Sequence, residues 1–242
     1  VTLDAHSGEV LAAVSYPNFN PNNRSGVSMA QTRSRALTDV FEPGSTMKPL
    51  TMVAALESGL YTSDTMIDTN PGRIRVGRKV LPDPSNYGEI TLARVVAKSS
   101  QVGITKVALE LGHAPVWAVF RRFGLGETTA TGFPGESSGM LPQRPRWRPI
   151  EEVTLAFGYG LTATPLQIAR AYAVFANGGM LPEISLLARE SDYRPGPRVV
   201  AASIAQEVLE VLAEVASENG TGSRARVPGY AVGGKTGTVH KV

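Results

Sequence analysis

Apolar residues alternate with polar ones at the start of this chain and then fall into helical spacing. Val1-Thr2-Leu3 and Val10-Leu11-Ala12-Ala13-Val14 flank Ala5-His6-Ser7-Gly8, which predicts a β-hairpin over residues 1–16 turning at Gly8. The Pro- and Asn-rich stretch from Tyr16 to Asn23 reads as loop. From about 45 to 215 the pattern is mainly helical. A first helix is predicted over Ser45–Ser58, with Gly59 as its stop, and a second begins at the N-cap Thr91 and continues through Ser99. Thr164-Pro165-Leu166-Gln167 combines an N-cap, a first-turn proline and a capping-box glutamine, so a third helix starts there and ends near Asn177-Gly178-Gly179. A fourth covers roughly 203–216, where Ile204, Val208, Leu212 and Val215 form one apolar stripe that reads as core packing. Residues 73–80 suggest a small hairpin around Gly77, and Tyr230 through Val239 reads as a strand interrupted by glycines. The expected fold is α+β: an antiparallel sheet, incomplete here, packed against a large helical region. The hairpin at 1–16 is the obvious sheet partner for the last strand, and no repeat or linker divides residues 1–242 into separate domains.

Composition narrows the function classes. With 242 residues, 42% of them hydrophobic, the chain can bury a sizeable core. The net charge of +3 comes with no dense Lys/Arg run interleaved with aromatics, so it reads as solvated surface and not as a nucleic-acid footprint. The absence of cysteine excludes a disulfide scaffold, a thiolate metal site and a cysteine nucleophile. No apolar run reaches the roughly 18 residues of a membrane helix, and the first residues do not form a signal peptide. Any export or anchoring device is therefore expected outside this chain.

Three segments carry candidate chemistry. In Phe41-Glu42-Pro43-Gly44-Ser45-Thr46-Met47-Lys48, a serine at a helix start has a lysine one turn later on the same face. Serine needs a neighbouring base to act as a nucleophile, and lysine serves as one when burial or another cation lowers its pKa. The helix N-terminus also offers free N–H groups to a developing oxyanion. Ser-x-x-Lys alone arises about once by chance in a chain of this size. Lys98-Ser99-Ser100-Gln101 adds hydroxyls and an amide, able to relay a proton and bind peptide backbone. Gly233-Gly234-Lys235-Thr236-Gly237-Thr238 is rarer; on a strand it supplies a cation for a carboxylate, a hydroxyl, and a glycine that leaves room for substrate.

Together and in this order, the three segments resemble the Ser-x-x-Lys, Ser-x-Asn and Lys-Thr-Gly set of penicillin-binding proteins and serine β-lactamases. The surrounding stretches Val40 to Pro49, Arg122-Phe123-Gly124-Leu125-Gly126, Gly139 to Trp147 and Phe157-Gly158-Tyr159-Gly160-Leu161 are similar to class B penicillin-binding proteins, closest to the division-specific branch of Gram-negative bacteria. The likeness covers essentially the whole chain. It implies a D-Ala-D-Ala transpeptidase that cross-links peptidoglycan stem peptides, is acylated by β-lactam antibiotics, needs no cofactor or metal, and works beside a divisome glycan polymerase on the periplasmic face of the inner membrane. It assigns Ser45 as the acylated nucleophile, Lys48 as its base and Ser99 as the proton relay. Lys235, Thr236, Gly237 and Thr238 would hold the donor peptide, with the oxyanion hole formed by the N–H groups of Ser45 and Thr238.

Two departures from the family pattern stand out. Gln101 occupies the place of the second motif's asparagine, one methylene longer. The chain also stops just after the third motif, so it is expected to be a transpeptidase-domain fragment without its C-terminal strands and helix. His6, His113 and His240 are isolated in sequence and show no metal-ligand spacing. Glu151-Glu152 reads as a solvated helix face, and Gly124-Leu125-Gly126 lacks the third glycine of a nucleotide loop. The alternatives are a serine β-lactamase or β-lactam sensor on the same scaffold, and a catalytically inert interaction module.

Overall fold

The computed structural model describes residues 1–189 and 195–238, so Val239 and His240 lie outside the described residues. A two-stranded antiparallel ladder, β1 (Thr2–Leu3) with β2 (Val10–Ala12), forms the expected hairpin. Single-turn helices α1 (Met29–Thr32) and α2 (Arg35–Thr38) follow, then a 3-10 turn at Gly44–Met47 that leads directly into α3 (Lys48–Glu57). Two further antiparallel ladders pair β3 (Met66–Asp68) with β6 (Glu89–Thr91), and β4 (Arg73–Val76) with β5 (Lys79–Pro82) across the Gly77 turn. The remaining α-helices are α4 (Leu92–Ala97), α5 (Gln101–Leu111), α6 (His113–Arg122), α7 (Pro149–Ala156), α8 (Pro165–Ala176) and α9 (Ala202–Ala216).

The core gathers around α3. Eight of its ten residues are buried, including Leu50, Met52 and Val53, which accounts for its lack of a polar face. A helix sheathed on all sides is a rigid platform, because close-packed neighbours resist small displacements. From α9, Val208, Leu212 and Val215 are buried as the apolar stripe predicts. The capping prediction for α8 also holds: the Thr164 hydroxyl accepts the Gln167 N–H at 3.1 Å, and the Gln167 side chain accepts the Thr164 N–H at 2.7 Å.

Three expectations are corrected. The helix foreseen from Ser45 begins as a 3-10 turn, because Lys48 N–H bonds back to Ser45 O and Pro49 has no N–H with which to extend an α-ladder to that carbonyl. The helix expected to run from Thr91 through Ser99 stops at Ala97, with a new one starting at Gln101. The strand expected from Tyr230 forms no ladder among the described residues, with the 1–16 hairpin or any other segment. Residues 231–238 run without regular structure, and Gly234 N–H bonds to Leu212 O of α9 at 3.0 Å in place of a strand neighbour.

Candidate active site

The turn bearing Ser45 is fixed from two sides. Phe41 and Ala163 exchange two backbone bonds at 3.0 Å, and Glu42 accepts the Gly160 N–H at 2.9 Å. Gly44 N–H donates to Gly158 O at 3.0 Å, and both glycines have positive φ, 57° and 87°. A Cβ on Gly158 would lie 2.1 Å from Gly44 O, so only glycine allows this approach. From α8, the partly buried Tyr172 donates its hydroxyl to Thr46 O at 2.6 Å; desolvation raises its pKa, keeping it a donor. In the tight 3-10 geometry, side chains three residues apart eclipse one another, which aligns Ser45 with Lys48.

Lys48 is 1% exposed. Its Nζ donates to Ser99 O at 2.5 Å and to Ser99 Oγ at 3.2 Å. Burial and then the charge of Lys235 push its pKa down to about 7, against a smaller upward pull from Asp83. A lysine so placed is neutral for much of the time near neutral pH and can accept a proton.

Ser99 reaches Lys48 because the chain breaks there. Its φ of 59° is in the left-handed region that non-glycine residues seldom adopt. The break is held by Asp83, one residue past β5 and 9% exposed. One Asp83 oxygen accepts the Ser100 hydroxyl at 2.6 Å, and the other accepts the N–H groups of Gln101 and Val102, the latter at 3.1 Å. Ser100 Oγ in turn accepts the Gly103 N–H at 2.9 Å. These bonds satisfy the orphan donors of the first turn of α5 and set a carboxylate at its positive end. Gly103 lets α5 close on α4, since a Cβ there would meet Val95 Cγ2 at 2.5 Å.

The third motif lies across the same turn. A Cβ on Gly237 would be 2.9 Å from Thr46 Cγ2, so this glycine sets how closely the segment approaches Ser45. Tyr159 OH donates to Thr238 O at 3.3 Å, and the Thr236 and Thr221 hydroxyls meet at 3.3 Å. Lys235 Nζ bonds to Thr236 O at 3.0 Å, and burial lowers its pKa to about 8. A cleft of about 640 Å³ is lined by Ser45, Lys48, Ser99, Gln101, Thr236 and Thr238. Lys235 and Gly237 stand behind this lining, one acting through its charge and the other through its lack of a side chain. The Gln101 amide has no hydrogen-bond partner among the described residues. The one carboxylate that lines the cleft among them is Asp83, with both oxygens committed to α5.

Several contributors escape a reading of the sequence. Asp83 acts across 17 residues on Ser100, and only its setting in Pro82-Asp83-Pro84 hints at a fixed turn. Tyr159 lies in a stretch singled out for its family likeness, whereas Tyr172 gives no sequence signal. His113, isolated in sequence, is partnered in space: its Nδ1 is 2.9 Å from Glu152 Oε1, and its ring stacks on Trp147. Glu151-Glu152 is accordingly more than a solvated face, since Glu151 also accepts the Arg148 N–H at 2.9 Å.

The penicillin binding protein transpeptidase domain family matches residues 1–242. The chain belongs to this family. It is 42% identical over 242 residues to peptidoglycan D,D-transpeptidase FtsI of Escherichia coli (strain K12), covering 100% of this chain and 41% of the relative. It is 38% identical over 241 residues to the probable peptidoglycan D,D-transpeptidase PbpC of Pseudomonas aeruginosa, covering 100% of this chain and 42% of that one. The chain thus spans about two-fifths of the length of these curated relatives. Among solved structures, the apo transpeptidase domain of Burkholderia pseudomallei penicillin-binding protein 3 superposes with a TM-score of 0.89 at 38% identity, covering 99% of this chain and 68% of that one. The α+β expectation holds in the form of a helix-rich domain with small antiparallel ladders.

Proposed function

We propose that this chain is the catalytic core of a peptidoglycan D,D-transpeptidase acting in septal wall synthesis. The observation that carries this reading is the buried Lys48, with a pKa near neutrality, in one cleft with Ser45 and bonded to Ser99. With two hydrogens directed at Ser99, a neutral Lys48 keeps its lone pair for the Ser45 hydroxyl. Ser45 Oγ attacks the penultimate D-Ala carbonyl while its proton passes to Lys48, and the N–H groups of Ser45 and Thr238 stabilise the oxyanion. As the intermediate collapses, the C–N bond breaks, a proton relayed through Ser99 reaches the leaving amine, and terminal D-Ala departs. An amine of a second stem then attacks the ester carbonyl, its proton passing by way of Lys48 to Ser45 Oγ as the C–O bond breaks and the cross-link forms. Thr236 binds the terminal carboxylate with the charge of Lys235 behind it, and the Gln101 amide binds the donor backbone.

β-Lactams enter the same path, and their acyl-enzyme persists because the only carboxylate lining the described cleft is occupied in capping α5. This favours a transpeptidase over a β-lactamase. By its family resemblance the full protein would act at the periplasmic face of the inner membrane with a glycan polymerase, and residues 1–242 would be one part of its transpeptidase domain. No helix among the described residues is long and apolar enough to cross a membrane. The test is labelling with a fluorescent penicillin: wild-type protein should bind one equivalent covalently and Ser45→Ala none. Labelling that survives in the variant would overturn the assignment, and rapid turnover of a chromogenic cephalosporin would favour the β-lactamase reading.

A further inference from the structure

A cationic, aromatic strip lies beside the cleft. Arg144-Pro145-Arg146-Trp147-Arg148 places three guanidinium groups in five residues, a local concentration that the modest net charge hides. Tyr159, a wall of the cleft, is also a wall of a small hollow of about 40 Å³ whose lining includes Gly160, Arg144, Trp147 and the carboxylate Glu151. Arg144 and Trp147 are shared in turn with a notch of about 190 Å³, where His113, Trp117 and Gln143 complete the walls. These shared walls set the three hollows in series from the Ser45 cleft, a stepped track.

The walls of the notch are set in advance. The His113 ring stacks on Trp147 with centroids 4.9 Å apart and planes at 21°, and Glu152 holds the imidazole from behind. Trp117 Nε1 donates to Pro142 O at 2.8 Å. Aromatic surfaces fixed in this way lose little freedom when a ligand arrives. Positive charge at the rim is poorly compensated. Arg146 is exposed and forms no ion pair among the described residues. Arg144 pairs only at 3.6 Å with Glu151, whose same oxygen is already 2.7 Å from Arg148.

We propose that this track is an extended substrate subsite that holds an anionic sugar–peptide segment of the wall strand engaged at Ser45. The apolar face of a pyranose ring packs on the indole surfaces of Trp117 and Trp147, and a carboxylate of the segment meets Arg144 and Arg146. Continuity with the cleft selects the same polymer as the occupant, so the inference rests on the transpeptidase reading.

The test uses the full-length protein that contains this chain, with the variants Trp147→Ala, Trp147→Phe and the pair Arg144→Ala/Arg146→Ala. Rates are compared for benzylpenicillin, a short N-acylated D-Ala-D-Ala peptide, and a disaccharide-pentapeptide. The alanine variants should keep penicillin acylation and short-peptide turnover within about twofold, while KM for the disaccharide-pentapeptide rises ~5-fold or more and Trp147→Phe recovers much of the loss. Equal effects on short and extended substrates, or none on either, would overturn the proposal. Binding of a disaccharide-tetrapeptide, followed by NMR, gives a readout independent of catalysis: it should weaken ~5-fold in each alanine variant. If wild-type protein is not acylated by penicillin, the transpeptidase reading fails, and the binding arm still decides the track: unchanged binding in both alanine variants overturns it.

Discussion

The side-chain nitrogen of Lys48 lies 2.5 Å from the main-chain carbonyl of Ser99, a residue whose own backbone is left-handed. The Lys48 amine is therefore positioned by a helix break as much as by its own helix. Anything that lets α4 and α5 fuse into one helix would withdraw that carbonyl and leave a buried amine without its partner, a cost of about 1–3 kcal/mol.

The first expectation concerns pH. In the proposed mechanism acylation requires neutral Lys48, so the second-order rate with benzylpenicillin should rise with pH through about 7. The proposed mechanism also needs the charge of Lys235 to draw in the carboxylate, so the rate should fall as pH passes about 8. Lys235→Gln should remove the alkaline limb. Because its charge is one cause of the low Lys48 pKa, its loss should also move the acidic limb upward. A pH–rate profile of the variant with an unmoved acidic limb would contradict this coupling.

Lys48 should cost stability as well. Its folded pKa is depressed from 10.5 to about 7, so the unfolded chain binds more protons between these values and stability rises with pH across that window. The penalty is fullest below pH 7 and amounts to a few kcal/mol at 1.36 kcal/mol per pKa unit. Lys48→Met should therefore abolish acylation yet melt higher than wild type at pH 6, with the difference shrinking by pH 9. A variant that melts lower at both pH values would show that the buried ammonium is better paired than its surroundings indicate.

Asp83 gives a prediction with two readouts. In Asp83→Asn the cap on α5 is weakened, and the melting temperature should drop by an amount consistent with about 1.5–3 kcal/mol for a charge-assisted bond. Removing the negative charge also eliminates an upward pull on the Lys48 pKa, so the acidic limb of the acylation profile should move down. A stability loss with an unchanged profile would confine Asp83 to capping.

Gln101→Asn should leave acylation unchanged or faster, because the shorter amide restores the family's reach into a cleft where the glutamine amide has no other partner. Second-order acylation rates with penicillin check this. A sharp fall would mean that the longer side chain is matched to this site.

What could be read from the sequence follows from how local each cause is. Thr164, Pro165 and Gln167 cap α8 with groups from its own first turn, so that helix start was legible to the residue. Ser45 with Lys48 was legible because both lie on one turn, although Pro49 makes that turn 3-10. The break at Ser99 was not, since its stabilising carboxylate arrives from Asp83 on a separate hairpin, and a polar helix end reads the same either way. The partners of Lys235-Thr236-Gly237 were equally hidden: the segment docks on α9 and on the Ser45 turn in place of a neighbouring strand.

Gly44 and Gly158 meet main chain against main chain. Such a seat has no side chain that mutation could trim or enlarge by a methylene, so the location of Ser45 is closed to gradual adjustment. A Gly158→Ala change should abolish penicillin labelling and soluble yield together. If the proposed activity holds, shifts in substrate preference must instead accumulate on the rim, at Gln101, at Tyr159 and along the Arg–Trp strip. Lineages could thus diverge widely in what they recognise while the Ser45 hydroxyl stays where peptide geometry put it.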